Sequence, residues 1–143
     1  MIGILIALLS GALMSVQGVF NTEVTKNTSL WVSNCWVQLT ALLVCVAGWL
    51  VTGRQSFSGL FAMENKYMLC GGVIGAFITL TVIQSMSQLG PARAVMLIVV
   101  SQLLVAYVIE LFGLFQVEKA GFDFRKLAGM ALAIAGIIIF KWK

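Results

Sequence analysis

The 143-residue chain is predicted to be an all-α integral membrane protein, and three observations carry that prediction. Hydrophobic residues make up 61% of it and charged residues 10%, where an ordinary soluble domain carries about 25% charged. Mean hydropathy is +1.05, more apolar surface than a core of this size hides from water. Apolar runs close to the ~20 residues that span a bilayer recur along the whole sequence. The solvent of this chain is therefore lipid, and one transmembrane domain over 1–143 accounts for its length.

Five spans are expected, at roughly 2–21, 31–51, 67–89, 91–115 and 122–140. The first is read as a retained helix. Its apolar run is too long for a secretory signal, and it lacks a basic flank and a small-residue cleavage site. The second lies between Trp31 and Val51. The third opens on the glycine-rich stretch CGGVIGA. The fourth begins at Gly90-Pro91, because the residue before a proline is driven out of the helical region. Pro91 itself suits a first helical turn, where its missing N–H costs nothing. The fifth is strictly apolar only over Leu127–Phe140 and is extended back by a turn to Phe122. The connections TEVTKNTS and GPARA leave room only for tight turns, whereas TGRQSFSGLFAMENK and QVEKAGFDFRK are longer. Trp31, Trp36, Trp49, Tyr67 and Trp142 fall towards span ends, as an interfacial aromatic belt places them.

Composition also excludes function classes. The chain has no histidine, so the commonest metal ligand and general base are missing. Cys35, Cys45 and Cys70 sit singly in apolar runs and read as small core residues, not as ligands or disulfides. No Gly-Lys-Ser/Thr follows the glycines of GGVIGA, so no phosphate loop is expected. No cofactor, metal or catalytic nucleophile is anticipated. The net charge of +4 lies mostly between apolar runs, where it anchors spans rather than binding nucleic acid.

Orientation is read from Lys and Arg near the span ends. With five spans, one side holds Arg54, Lys66, Lys119, Arg125 and Lys126; the other holds Lys26, Arg93, Lys141 and Lys143. Five against four is almost no bias. The expectation is insertion in both orientations and an antiparallel homodimer of ten helices, which reproduces with two copies the inverted repeats of many transporters. The competing reading is a fixed topology in which the even count is a small-number accident.

Polar side chains inside spans are functional candidates by default. Gln17 and Asn21 stand four residues apart on one face of the first span, with Asn21 expected at its end. Ser101 and Gln102 fall at the middle of the fourth. Together with Asn34 and Gln84, these residues form the expected substrate cavity. The plain alternative for any one of them is a hydrogen bond to a neighbouring helix, worth about 0.6 kcal/mol. Glu110 is the only acidic residue well inside a span. If two copies of the fourth span cross antiparallel near Gln102, Glu110 of one matches Arg93 of the other in depth, as a possible ion pair or proton site. The 17 residues between them amount to about 260° of rotation, so their facing is less favourable. Small residues let membrane helices approach closely. Gly71 and Gly75 in the third span, and Gly129, Ala133 and Gly136 in the fifth, read as packing seams, with the fifth span the candidate dimer seam.

The sequence SVQGVFNTEV, followed by VSNCW, GGVIGAFITL, QLGPARAVMLIVVSQLLVAYVIELFGLF and LAGMALAIAGIIIF, resembles the bacterial YdcZ-like proteins along nearly the whole chain. These are five-helix membrane proteins of the drug/metabolite transporter superfamily, beside the small multidrug resistance exporters. The resemblance implies a half-size transporter of the bacterial inner membrane that works as an antiparallel homodimer or pairs with a close paralogue. Family members commonly carry Gly-Gln where this chain has Ser101-Gln102, and aspartate in place of Glu110. The small multidrug exporters use a carboxylate in the middle of the first helix. Here the corresponding helix offers Gln17, which cannot titrate, so proton-for-cation exchange is not carried over.

Amides donate and accept hydrogen bonds. A cavity of amides and hydroxyls with aliphatic walls suits a small neutral, zwitterionic or amphipathic molecule. The expected function is therefore a non-enzymatic secondary transporter or exporter. The alternative is an accessory or regulatory subunit of a membrane complex that does not itself transport.

Overall fold

The structure, a computed structural model, describes residues 1–141; Trp142 and Lys143, expected at the membrane interface, lie outside the described residues. Every regular element among the described residues is helical: α1 (Ile2–Asn27), α2 (Leu30–Val51), the single turn α3 (Ser58–Phe61), α4 (Gly71–Leu89), α5 (Pro91–Phe112) and α6 (Phe124–Lys141). A short 3₁₀ segment, Lys66–Cys70, leads into α4. Among the described residues, four helices are long and apolar enough to cross a membrane: Ile2–Asn27, Leu30–Val51, Lys66–Leu89 with its 3₁₀ lead, and Pro91–Phe112. The expected fifth span is present as a helix of 18 residues, but Arg125, Lys126 and Lys141 are among them, and it is not one of these four.

Helix ends follow local chemistry. α1 runs six residues past its expected end at 21, because TEVTKN continues helically although it is polar. Lys26 Nζ reaches Glu23 Oε1 at 2.6 Å one turn back. Thr25 and Thr28 donate their hydroxyls to the carbonyls of Asn21 and Val24, at 2.8 and 2.7 Å. Reading by apolarity alone cannot see such an end. Ser29 then starts α2 from extended backbone, its Oγ accepting from the Val32 N–H at 3.3 Å, the usual N-cap bond.

Gly90 takes φ 78° before Pro91, which occupies the first turn of α5 as expected. That helix stops at Phe112 rather than 115, because Gly113 adopts a left-handed conformation (φ 65°, ψ 38°) and its N–H closes on Ile109. Phe115 and Gln116 also have positive φ, so the chain turns back sharply. Asp123 opens α6 by accepting from the Arg125 N–H at 2.8 Å.

The described chain divides into two compact units, Met1–Gln88 and Leu89–Lys143. In the first, α2 bonds to both α1 and α4 through side chains. Ser33 Oγ donates to the Asn21 carbonyl at 3.1 Å, Asn34 Nδ2 to the Ala76 carbonyl at 3.4 Å, and Gln38 Nε2 to Thr79 Oγ1 at 3.4 Å. α1 meets α4 where Met86 lies over Gly18. A Cβ at Gly18 would stand 2.5 Å from Met86 Cε and 2.6 Å from Sδ. In the second unit α5 packs against α6 as an antiparallel hairpin.

Little of the chain is buried. Among the described residues, the buried hydrophobic side chains are Leu80, Ile83, Met86 and Ala94, while large side chains such as Leu5 and Ile139 stand 66% and 74% exposed. In water this would be untenable; in lipid it is the expected outer surface. It also corrects the reading of the cysteines. Cys35, Cys45 and Cys70 are all exposed, because a small apolar thiol needs no core when the solvent is hydrocarbon. Trp49 ties the end of α2 to the segment that follows: its indole N–H donates to the Gln55 carbonyl at 2.9 Å and its ring packs 5.2 Å from that of Phe57.

The Gly18 contact makes a testable distinction. Gly18→Ala is expected to leave the unfolding midpoint in detergent nearly unchanged, since the flexible end of Met86 moves aside. Gly18→Leu is expected to lower stability by about 1–3 kcal/mol through overpacking of α1 on α4.

Candidate functional site

The two carboxamides of α1 separate. Asn21 is buried; Gln17 is exposed. Both border a shallow groove of about 510 Å³ along α1, between Ser10, Met14 and Phe20. Because α1 extends to Asn27, Asn21 lies well short of its end. Its expected place at the helix end is thereby corrected, and Asn21 belongs to the packed interior of the first unit.

The buried polar atoms gather around it. Asn21, Thr22, Ser33 and Asn34 are the buried polar residues of the described chain, and Ser33 is the most deeply enclosed. The Asn21 carbonyl accepts from both Ser33 and Thr25, while Thr22 donates to the Gly18 carbonyl at 2.8 Å. Asn34, the next residue after Ser33, reaches α4 through its NH₂ group. Its Oδ1 is buried and has no hydrogen-bond partner. Buried polar atoms are nearly always paired, so an acceptor left open is unusual. Thr22 and Ser33 were not among the expected cavity residues. The signal for Ser33 was the run Ser33-Asn34 at one turn from Val37-Gln38, which marks one face of α2.

The remaining cavity candidates face outward. Gln84, in the first unit, is exposed. Ser101 and Gln102, at the middle of α5, are exposed as well. The structure thus joins Asn21 and Asn34 through Ser33 and leaves Gln17, Gln84, Ser101 and Gln102 at the surface of the single chain.

Glu110 has a partner of its own. Its Oε2 lies 2.6 Å from Lys126 Nζ across the α5–α6 hairpin, with both side chains a little under half exposed. Any pairing with Arg93 of another copy must compete with this bond. Arg93 sits at the other end of the hairpin, exposed, beside a small groove of about 90 Å³ formed with Met96, Leu97, Ile137 and Phe140.

Of the glycines expected at seams, Gly71, Gly75, Gly129 and Gly136 would each meet nothing within 4 Å on gaining a Cβ. Within the chain they are not points of close approach. On α4 the buried residues Leu80, Ile83 and Met86 lie further along the helix than Gly71 and Gly75. On α6 the half-buried residues are Met130, Ala133 and Ile137, so Ala133 lies on the stripe towards α5 while Gly136 is open.

The buried carboxamide of Asn34 and the buried hydroxyl of Ser33 are each testable by substitution. Asn34→Leu removes an unpaired buried acceptor with one long hydrogen bond and is expected to change stability by less than about 1 kcal/mol. Ser33→Ala breaks a made bond and is expected to cost about 0.6 kcal/mol. Unfolding by denaturant in micelles measures both; a loss above 2 kcal/mol in Asn34→Leu would show that its carboxamide is fully paired.

A family model matches residues 2–139, and its description is "Putative inner membrane exporter, YdcZ". That description concerns membrane export rather than enzyme catalysis, and it places the family in the inner membrane, in agreement with four helices apolar enough to cross. Neither the curated proteins nor the solved structures gave a match. The match covers nearly the whole chain, and the protein therefore belongs to the YdcZ family, in keeping with a place in the drug/metabolite transporter superfamily.

Proposed function

We propose that the chain is a half-size secondary transporter, exporting a small neutral, zwitterionic or amphipathic molecule as an antiparallel dimer with alternating access. The observation that carries this reading is the outward placement of Gln17, Gln84, Ser101 and Gln102 on apolar helices. A carboxamide facing hydrocarbon without a partner costs several kcal/mol. A second copy, or a close paralogue, covers such side chains and turns them into the lining of a shared cavity with Asn21 and Asn34 at its edge. On this reading α6 crosses the bilayer as a fifth span, and Gly129 and Gly136, open in the single chain, supply the dimer seam. Glu110 is the intramembrane group available for proton coupling, with Arg93 and Lys126 competing for its carboxylate.

A second reading has its own support in the charges of α6. If α6 stays at the membrane surface, four spans remain, and Arg54, Lys66, Lys119, Arg125, Lys126, Lys141 and Lys143 share one side against Lys26 and Arg93. Seven against two is a firm bias that fixes a single orientation with both termini on the basic, cytoplasmic side. A chain held in one orientation suits an accessory subunit or one half of a heterodimer.

Crossing by α6 therefore decides between the readings, and reporters of membrane sidedness fused separately to each terminus measure it. Each reporter is expected to give signal on both sides of the membrane. Signal confined to the cytoplasm for both fusions sinks the homodimer. Gln102→Leu is expected to abolish export, once a transported compound is found, while leaving the helical content unchanged; full activity returns Gln102 to plain helix packing.

A further inference from the structure

The α5–α6 hairpin holds a groove in which Glu110, Lys126 and Gly129 meet Leu103, Ala106, Tyr107 and Met130, four residues that the transport reading does not use. It has a volume of about 340 Å³ and two chemically distinct ends. Tyr107, Glu110 and Lys126 form one end; Leu103, Ala106, Gly129 and Met130 form the other. From Glu110 to Leu103 is two turns of α5, about 10 Å. The polar end lies where the chain leaves α5 and enters α6, which is a membrane face if α6 crosses beside α5. The apolar end lies deeper. This is the profile of an amphipathic molecule standing in a leaflet, with its head at the interface and its chain along the helices.

The polar end is held in place by the backbone. The Ala120 N–H donates to the Glu110 carbonyl at 2.8 Å, and the Asp123 N–H to the Tyr107 hydroxyl at 3.2 Å. Gly113, with a Cβ position only 3.2 Å from Lys119 Cβ, lets the connecting segment fold back this tightly. Lys126 Nζ stands 6.0 Å from the Tyr107 ring centre, within cation–π range, and donates to Glu110 at 2.6 Å. An ammonium has three donors and a carboxylate two oxygens, so each partner keeps bonding capacity after meeting the other. Both are partly exposed on the groove.

The charge pattern selects the head. Ammonium and carboxylate side by side are neutral overall, so an anion attracted by Lys126 is repelled by Glu110. A head that carries its own ammonium beside a phosphate satisfies both, with phosphate to Lys126 and ammonium to Glu110. A quaternary ammonium has no N–H to give the carboxylate and gains less. We propose that this groove binds a bilayer phospholipid with a primary-amine head, its first acyl carbons lying against Leu103, Ala106, Gly129 and Met130. The proposal rests on the reading that α6 crosses beside α5.

The test is lipid retention by the delipidated full chain in detergent, measured by native mass spectrometry with phosphatidylethanolamine, phosphatidylcholine or phosphatidylglycerol added in turn. Phosphatidylethanolamine is expected to be held about tenfold more tightly than either, the size of one charge-assisted hydrogen bond. Glu110→Gln removes that preference. Ala106→Leu fills the groove without touching the charges or the proposed dimer seam and lowers retention of all three lipids, with circular dichroism confirming that both variants stay helical. Equal retention of the three heads by the unaltered chain, a preference for phosphatidylglycerol, or no change in the variants overturns the proposal. The readout needs neither transport nor a particular orientation. Its failure leaves the exporter reading standing, whereas reporter signal confined to the cytoplasm at both termini removes the crossing of α6 and overturns the proposal together with the five-span reading.

Discussion

Lipid offers no hydrogen bonds, and this constraint organises the whole molecule. Each backbone group must be paired within its own segment, which leaves helices as the available element for a chain this apolar. Each polar side chain in a span must also find a partner. The hydroxyls solve this locally. Ser10, Ser15, Thr22, Thr40, Thr79 and Thr81 donate to a carbonyl one turn back on their own helix. Apart from Thr79, which also accepts from Gln38 of α2, they are polar in composition only and place no demand on the fold.

Carboxamides are different, because an amide carries donors and an acceptor at once and a single bond back to its own helix leaves the rest open. Asn34 and Gln38 reach across from α2 to α4, and that pair of bonds, with Ser33 on the Asn21 carbonyl, ties three helices together. Gln17, Gln84 and Gln102 have no such position within the single chain. The position of each carboxamide on its helix, rather than polarity as such, separates the amides that the chain settles by itself, Asn34 and Gln38, from those it leaves for another molecule.

The sequence announced the helical membrane fold through composition and run length, and it announced the start of α5 through Gly90-Pro91. It hid the ends set by side-chain bonds. The polar tail of α1 was legible only through the Glu23 and Lys26 spacing, and the early stop of α5 only through Gly113. The site was less legible. Facing within a helix needs the position of neighbours, so Asn21 and Gln17, adjacent on one face by spacing, part company in burial. Lys126 lay at the start of an apolar run and drew attention as a topological charge; that it meets Glu110 depends on the length of the turn between α5 and α6.

The contact between α1 and α4 has a mechanical side. Gly18 offers no side chain, and what rests on it is the end of a methionine, the least rigid of the large apolar groups. Three rotatable bonds let the thioether follow Gly18 if one helix shifts lengthwise by about an ångström, whereas a branched side chain would have to climb over it. Such a joint resists being pulled open but yields to sliding. The compliance belongs to this contact alone, since the bonds of Ser33, Asn34 and Gln38 hold α2 to both α1 and α4.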